Sequence, residues 1–206
     1  MDRYDERRLE MVQRDLVRRG IADMRVLSAM AKVPRHLFVP PHLVDRAYDD
    51  EALGLSEGQT ISQPYIVALM AEALLLAAWH RVLEIGTGSG YAAAIAAELC
   101  QTVYTVERRP ALAEAAAKTL AELGYTNVHV RVGDGTLGWP EEAPFDAIAV
   151  TAGGERTPAP LLAQLKPKCP MVMPVGRDDQ TLVRLIDGRR EELIAVRFVP
   201  LIGAEA

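Results

Sequence analysis

Cysteine is nearly absent. Among 206 residues only Cys100 and Cys169 occur, in no CxxC pair and with no histidine at ligand spacing. That spacing excludes a disulfide-stapled scaffold and a thiolate metal site; no metal is expected, and the two thiols suit a reducing compartment. Basic charge is not in excess either: 23 Lys and Arg stand against 28 Asp and Glu, a formal net charge of −5. The electrostatic footprint of a nucleic-acid binder is therefore missing. Where arginine does concentrate, in MDRYDERRLEMVQRDLVRRG, six arginines alternate with five acids, the pattern of a solvated helix face. The first residues carry no apolar leader core. The longest apolar run, PYIVALMAEALLLAAW, is interrupted by Glu72 and is short for a membrane span. Repeats and low-complexity tracts are also lacking. His36, His42, His80 and His129 sit in no recognisable catalytic motif. These absences lead to the expectation of a cytoplasmic protein with neither nucleic acid nor membrane as partner.

What is present reads as one globular domain over residues 1–206, since half the residues are hydrophobic and a quarter charged. Residues 1 to about 35 read as two helices, broken near Gly20 and stopped by Pro34. A proline-punctuated connector (Pro34–Pro41) and a loop rich in glycine and acids (Asp49–Thr60) follow. Residues 1–60 thus form a helical extension with a substrate-side loop, ahead of a sheet core over 61–206. A buried helix is expected from Gln63 to Trp79. From Arg81 the rhythm changes: RVLEI, TVYTV, VHVRV and FDAIAV alternate with Ala-rich helical segments. This predicts an α/β fold, a Rossmann-like doubly wound sheet, mostly parallel and covered on both faces. MVMPV, TLVRLID and ELIAVRFV, with DGRRE between the last two, predict an antiparallel hairpin at one edge.

VLEIGTGSGY (Val82–Tyr91) is the most informative stretch. An apolar strand enters glycines at alternate positions, Gly86, Gly88 and Gly90, with Thr87 between the first two, and a helix follows. Such glycines let the backbone turn tightly and approach a ligand. The dinucleotide fingerprint needs Gly or Ala where Tyr91 stands, so a nicotinamide enzyme is disfavoured. Glu84 also argues against a pyrophosphate. Glu107 closes the next strand, where an acid can accept from ribose hydroxyls. Asp134, before Gly135, ends the third strand, where a carboxylate can accept from an exocyclic amine or simply form an Asx turn. Three acids at consecutive strand ends are expected to line one crevice and to favour a cationic nucleoside such as S-adenosyl-L-methionine.

The chain resembles the protein-L-isoaspartate O-methyltransferase family of class I methyltransferases. The segments that carry the resemblance are PRHLFVP, GQTISQPYIVALM, VLEIGTGSGY, VYTVER, VGDGTLGW, APFDAIAVTA, LLAQLKP, MPVG and VRFVPLIG, in the family's order from about Pro34 to Gly203. The resemblance implies S-adenosyl-L-methionine as cofactor, isoaspartyl-containing proteins or peptides as substrates, and repair through a succinimide. It implies a monomer. It places the active-site serine at Ser62, with Thr60, Ile61, Val199 and Pro200 beside the substrate and Gln180 near the cofactor. Spacing alone leaves Ser62 open between two roles, because serine before a proline-initiated helix is also an ordinary N-cap. A carboxylate acceptor, already ionised with a pKa of about 4, needs no strong base, only alignment. Three segments depart from the family pattern: LGLSEGQTIS, Gly153–Gly154 after VTA, and KPKCPM. The glycine pair reads as a flexible loop that could admit another peptide or act as a lid. Two rival functions keep the fold: the same chemistry on a dedicated peptide, or a non-catalytic S-adenosylmethionine-binding module.

Overall fold

The computed structural model describes residues 3–206. Helix α1 (Arg3–Met11) runs on through a π turn (Val12–Leu16) and a 3₁₀ turn (Val17–Arg19). Gly20 closes it at φ 96°, a left-handed stop that glycine takes without steric cost. α2 (Met24–Lys32) starts at Asp23, whose carboxylate accepts from Arg25 N–H at 2.8 Å, and it ends just before Pro34. The mixed charges of the first helix are not all left to solvent. Arg3 pairs with Asp45 at 2.8 Å, Arg8 donates to Ala31 O at 2.6 Å, and Arg19 pairs with Asp50. The helix is thereby tied to α2 and to the 45–50 segment, a use that charge alternation along one element does not reveal.

β1 (Leu53–Gly54) and β2 (Thr60–Ile61) form a small antiparallel ribbon. α3 (Pro64–Ala73) follows and stops short of the expected Trp79. Leu75 takes φ 51°, and Leu75 and Trp79 lie 52% and 74% exposed. Glu72 explains the anchoring of this end: its carboxylate accepts from Ala22 and Asp23 N–H at 2.8 and 2.7 Å, satisfying donors at the start of α2. Among the described residues no helix is long and apolar enough to cross a membrane.

The main sheet contains β3 (Arg81–Ile85), β4 (Thr102–Glu107), β5 (Val128–Val132), β6 (Ala147–Val150), β7 (Pro170–Val175), β8 (Gln180–Ile186) and β9 (Arg189–Val196), in the order β5-β4-β3-β6-β7-β8-β9. The first five are parallel; β8 and β9 are antiparallel to their neighbours. The β8–β9 turn places Asp187 and Gly188 at φ 52° and 73°, the double positive φ of a tight hairpin. α4 (Tyr91–Ala97), α5 (Pro110–Glu122) and α6 (Ala159–Ala163) connect the strands. Strand alternation splits the core in two. Val82, Val103, Ala147 and Val172 join the cluster of Met11, Leu16, Met30 and Ala94, while Leu83, Val106, Ile148 and Met171 pack with Leu161 on the other face. The order reverses at β3, which has β4 on one side and β6 on the other. A crevice outside the carboxyl ends of β3 and β6 follows from that reversal.

Candidate functional site

Gly86, Gly88 and Gly90 leave β3 at φ 95°, 54° and 86°. Three left-handed residues in five make this turn affordable only to glycine. Gly86 has a second reason. A Cβ there would collide with Thr151 Oγ1, which lies 2.7 Å from Gly86 O and 3.0 Å from Ile85 O. Thr151 thus staples the end of β6 to the turn. Sequence reasoning missed it, although its position directly after the FDAIAV strand was a usable signal. Tyr91, where the dinucleotide pattern fails, is buried. Its ring meets Phe38 edge-on at 5.6 Å and lies 4.8 Å from the Arg35 guanidinium. The bulky side chain docks the N-terminal PRHLFVP segment against the start of α4.

A cavity of about 670 Å³ opens over this turn. Of the residues singled out from sequence, Gly86, Thr87, Gly88, Glu107, Thr60, Ile61, Ser62, Val199 and Pro200 line it. None of the four histidines does. Glu107 Oε2 accepts from Gly88 N–H and Oε1 from Arg109 N–H, both at 3.0 Å. A carboxylate has about four acceptor positions, so two remain for a ligand diol.

The other two acids do not share that wall. Glu84 alternates to the buried face, where Thr105 Oγ1 donates to its Oε2 at 2.6 Å and Thr87 Oγ1 lies 2.7 Å from Thr105 Oγ1. Burial pushes its carboxyl up to about 8; the Thr105 hydrogen bond opposes this and the Glu107 charge adds to it. The expected negative charge aimed at a ligand is therefore, at neutral pH, a mostly protonated group beneath the turn. Asp134 forms the Asx turn: Oδ1 accepts from Thr136 N–H at 2.9 Å and from its hydroxyl at 2.7 Å, and Oδ2 accepts from Ala204 N–H at 2.8 Å. Burial acts to raise this carboxyl, but the hydrogen bonds from Thr136 and Ala204 outweigh it and hold it below the usual range. The C-terminal tail, invisible to strand-end reasoning, covers this acid. Gly135 packs against β3, with room for a Cβ denied by Ile85 at 2.5 Å, and Gly90 packs against Leu120 and Ala116 of α5.

The two readings of Ser62 separate here. The N-cap of α3 is Gln63, and Pro64 opens the helix without needing a partner for its nitrogen. Asp50 supplies the capping carboxylate instead: Oδ1 accepts from Tyr65 N–H at 3.2 Å and Oδ2 from Gln63 Nε2 at 2.7 Å. Arg19, which pairs with Asp50, also lies 3.5 Å over the Tyr65 ring. Among the described residues Ser62 has no side-chain partner, and it faces the cavity. Asp50 could not be found by local spacing, because it reaches the helix from a separate loop.

Gln180, expected near the cofactor, is 7% exposed and does not line the cavity. Its amide instead brackets Phe198: Phe198 N–H donates to Oε1 at 2.7 Å and Nε2 donates to Phe198 O at 3.2 Å. The Gly153–Gly154 pair is not a loose loop. Both glycines are buried. Gly153 N–H donates to Val199 O at 2.8 Å, its carbonyl accepts from Leu201 N–H at 2.7 Å, and Gly154 bonds Pro174 O and Gly176 N–H. The reading of that pair as a flexible lid is corrected by these four bonds.

Comparison with known proteins identifies the family and the fold. The profile of the family described as protein-L-isoaspartate(D-aspartate) O-methyltransferase matches residues 6–206. The chain is 56% identical to protein-L-isoaspartate O-methyltransferase 1 of Geotalea uraniireducens, over 97% of this chain and 94% of that one. It is 58% identical to the protein-L-isoaspartate O-methyltransferase of Roseiflexus castenholzii, over 93% and 90%. Among solved structures, one protein-L-isoaspartate O-methyltransferase superposes with a TM-score of 0.86 at 28% identity, over 98% of this chain and 67% of that one. A Plasmodium falciparum protein described as a putative member, in complex with S-adenosyl-L-homocysteine, superposes at 0.82 with 25% identity, over 95% and 98%.

Proposed function

The chain belongs to the protein-L-isoaspartate(D-aspartate) O-methyltransferase family, and we propose how its site performs the carboxyl methylation of isoaspartyl residues that starts their repair. The enzyme is an S-adenosyl-L-methionine-dependent protein carboxyl methyltransferase. The cradle suits that cofactor: a glycine turn that brings backbone close to a ligand, and Glu107 with two acceptor positions left for a ribose diol. Bound there, S-adenosyl-L-methionine supplies a sulfonium methyl group.

The chain's own residues supply alignment. The acceptor carboxylate is ionised near neutral pH, with a pKa of about 4, so no histidine is needed, and none lines the cavity. Ser62 Oγ donates to the acceptor and holds one oxygen toward the cofactor. A neutral hydroxyl does this without drawing off the oxygen's charge as a paired lysine would. Thr60, Ile61, Val199 and Pro200 hold the peptide and exclude water, while Gly86, Thr87 and Gly88 carry the cofactor. Glu84 acts from below, through Thr105 and Thr87, on the shape of the turn. Asp134 lies outside the cavity lining and acts on the site only by holding Thr136 and the C-terminal tail at Ala204. The observation that carries this reading is the free Ser62 hydroxyl on the cavity wall, with helix capping taken over by Asp50. The enzyme acts as a cytoplasmic monomer on protein and peptide clients; its unpaired thiols, Cys100 and Cys169, suit a reducing compartment.

The test is incubation with methyl-labelled S-adenosylmethionine and matched peptides containing aspartate or isoaspartate. Label on the isoaspartyl peptide alone, released by mild base, is expected. Equal labelling of both peptides, or none despite cofactor binding, would reject the assignment.

A further inference from the structure

Gln180 sits at the first position of β8, away from the cavity, yet both ends of its amide are committed to the backbone of Phe198. The side chain therefore acts as an extra rung of the sheet, extending pairing past the end of β9 at Val196. On the opposite side, the next residues are held by Gly153, through Val199 O and Leu201 N–H. Gly153 and Pro200 form an isolated parallel bridge. These two anchors meet. A Cβ on Gly153 would stand 2.6 Å from Gln180 Cδ and closer still to Nε2. A glutamine end normally swings aside, but this one is pinned by two hydrogen bonds.

We infer that Gln180 and Gly153 form a clasp that positions Phe198–Pro200, and through it the peptide-binding wall of the cavity. Phe198, Val199 and Pro200 all line that cavity. The segment has no regular strand partner of its own, so without the clasp its backbone would pay the cost of ordering each time a peptide binds. The clasp is a positioning device: neither residue needs to touch substrate. The inference rests on the reading of the 198–200 wall as the peptide side of the site.

The experiment uses the full chain with Gln180→Ala, Gly153→Ala and the double substitution. Losing two buried neutral hydrogen bonds predicts a rise in KM for an isoaspartyl peptide of about 10-fold in Gln180→Ala, with affinity for S-adenosylhomocysteine unchanged. Gly153→Ala is expected to raise the same KM, because the added methyl displaces the amide. In the double variant the methyl enters the space the glutamine left, so the two effects do not add. Hydrogen exchange at the Phe198 amide should accelerate in Gln180→Ala. Faster exchange with unchanged peptide KM would leave a purely structural clasp and overturn the positioning role. Additive effects, or equal losses in peptide and cofactor binding, would overturn it too. If the exchange and coupling results hold but Val199 or Pro200 substitutions leave peptide KM untouched, the error lies in the reading of the wall, and the positioning role falls with it.

Discussion

Replacing Glu84 by glutamine removes a titrating group from the middle of the sheet while keeping its shape. The native carboxyl titrates at about 8 against an ordinary 4.5, raised mainly by burial, held back by the Thr105 hydrogen bond and raised further by the Glu107 charge. Because the folded value lies above the unfolded one, the native chain keeps a proton that the unfolded chain releases in the interval between them. The stability this site contributes is therefore fully present below pH 4.5 and is lost as pH rises toward 8. At about 1.4 kcal/mol per pH unit inside that interval, the loss between pH 5 and pH 7.5 comes to about 3 kcal/mol. Glutamine cannot ionise, and the other titrating groups are common to both proteins. The difference in unfolding free energy should then move by that amount in favour of Glu84→Gln across the same range. Urea unfolding at several pH values, followed by tryptophan fluorescence, measures it directly. Two curves that stay parallel, with a constant offset, would show that Glu84 is ionised and solvated in the native state and would refute the reasoning.

Ser62→Ala should lower kcat by about 10- to 100-fold, the value of one hydrogen bond to a charged acceptor. Its affinity for S-adenosylhomocysteine should stay the same, and steady-state kinetics with calorimetry separate the two; a kcat that does not change rejects the orienting role. Glu107→Gln should weaken cofactor binding by about 10- to 100-fold by removing charge-assisted acceptors, with peptide KM little altered, and calorimetry reads this loss. Arg35 is fully buried, with Nη1 and Nη2 unpartnered and its pKa depressed to about 10 by desolvation. Arg35→Met should therefore hold or raise the melting temperature, whereas Arg35→Ala should cost about 2–5 kcal/mol through the cavity it opens. Equal losses in both variants would mean that the hydrogen bond from Arg35 Nε to Ala47 O, at 2.8 Å, and the Tyr91 contact outweigh desolvation.

The amino-acid sequence by itself determined the sheet, its parallel majority, the antiparallel edge and the glycine turn. Those features rest on local information: side-chain alternation along RVLEI or FDAIAV, and backbone angles at Gly86, Gly88 and Gly90 that only glycine takes cheaply. Only the tertiary structure decided which polar groups face the cavity. Glu84, Glu107 and Asp134 look equivalent as strand-end acids, yet one is sealed under the turn by Thr105, one lines the wall, and one lies beneath Ala204. In the same way Asp50 released Ser62 from capping, and Phe198 holds the Gln180 amide away from the cavity lining. The reason is physical: a carboxylate or amide turns toward whichever donors the folded chain brings within hydrogen-bond reach, and those donors come from segments far away in sequence.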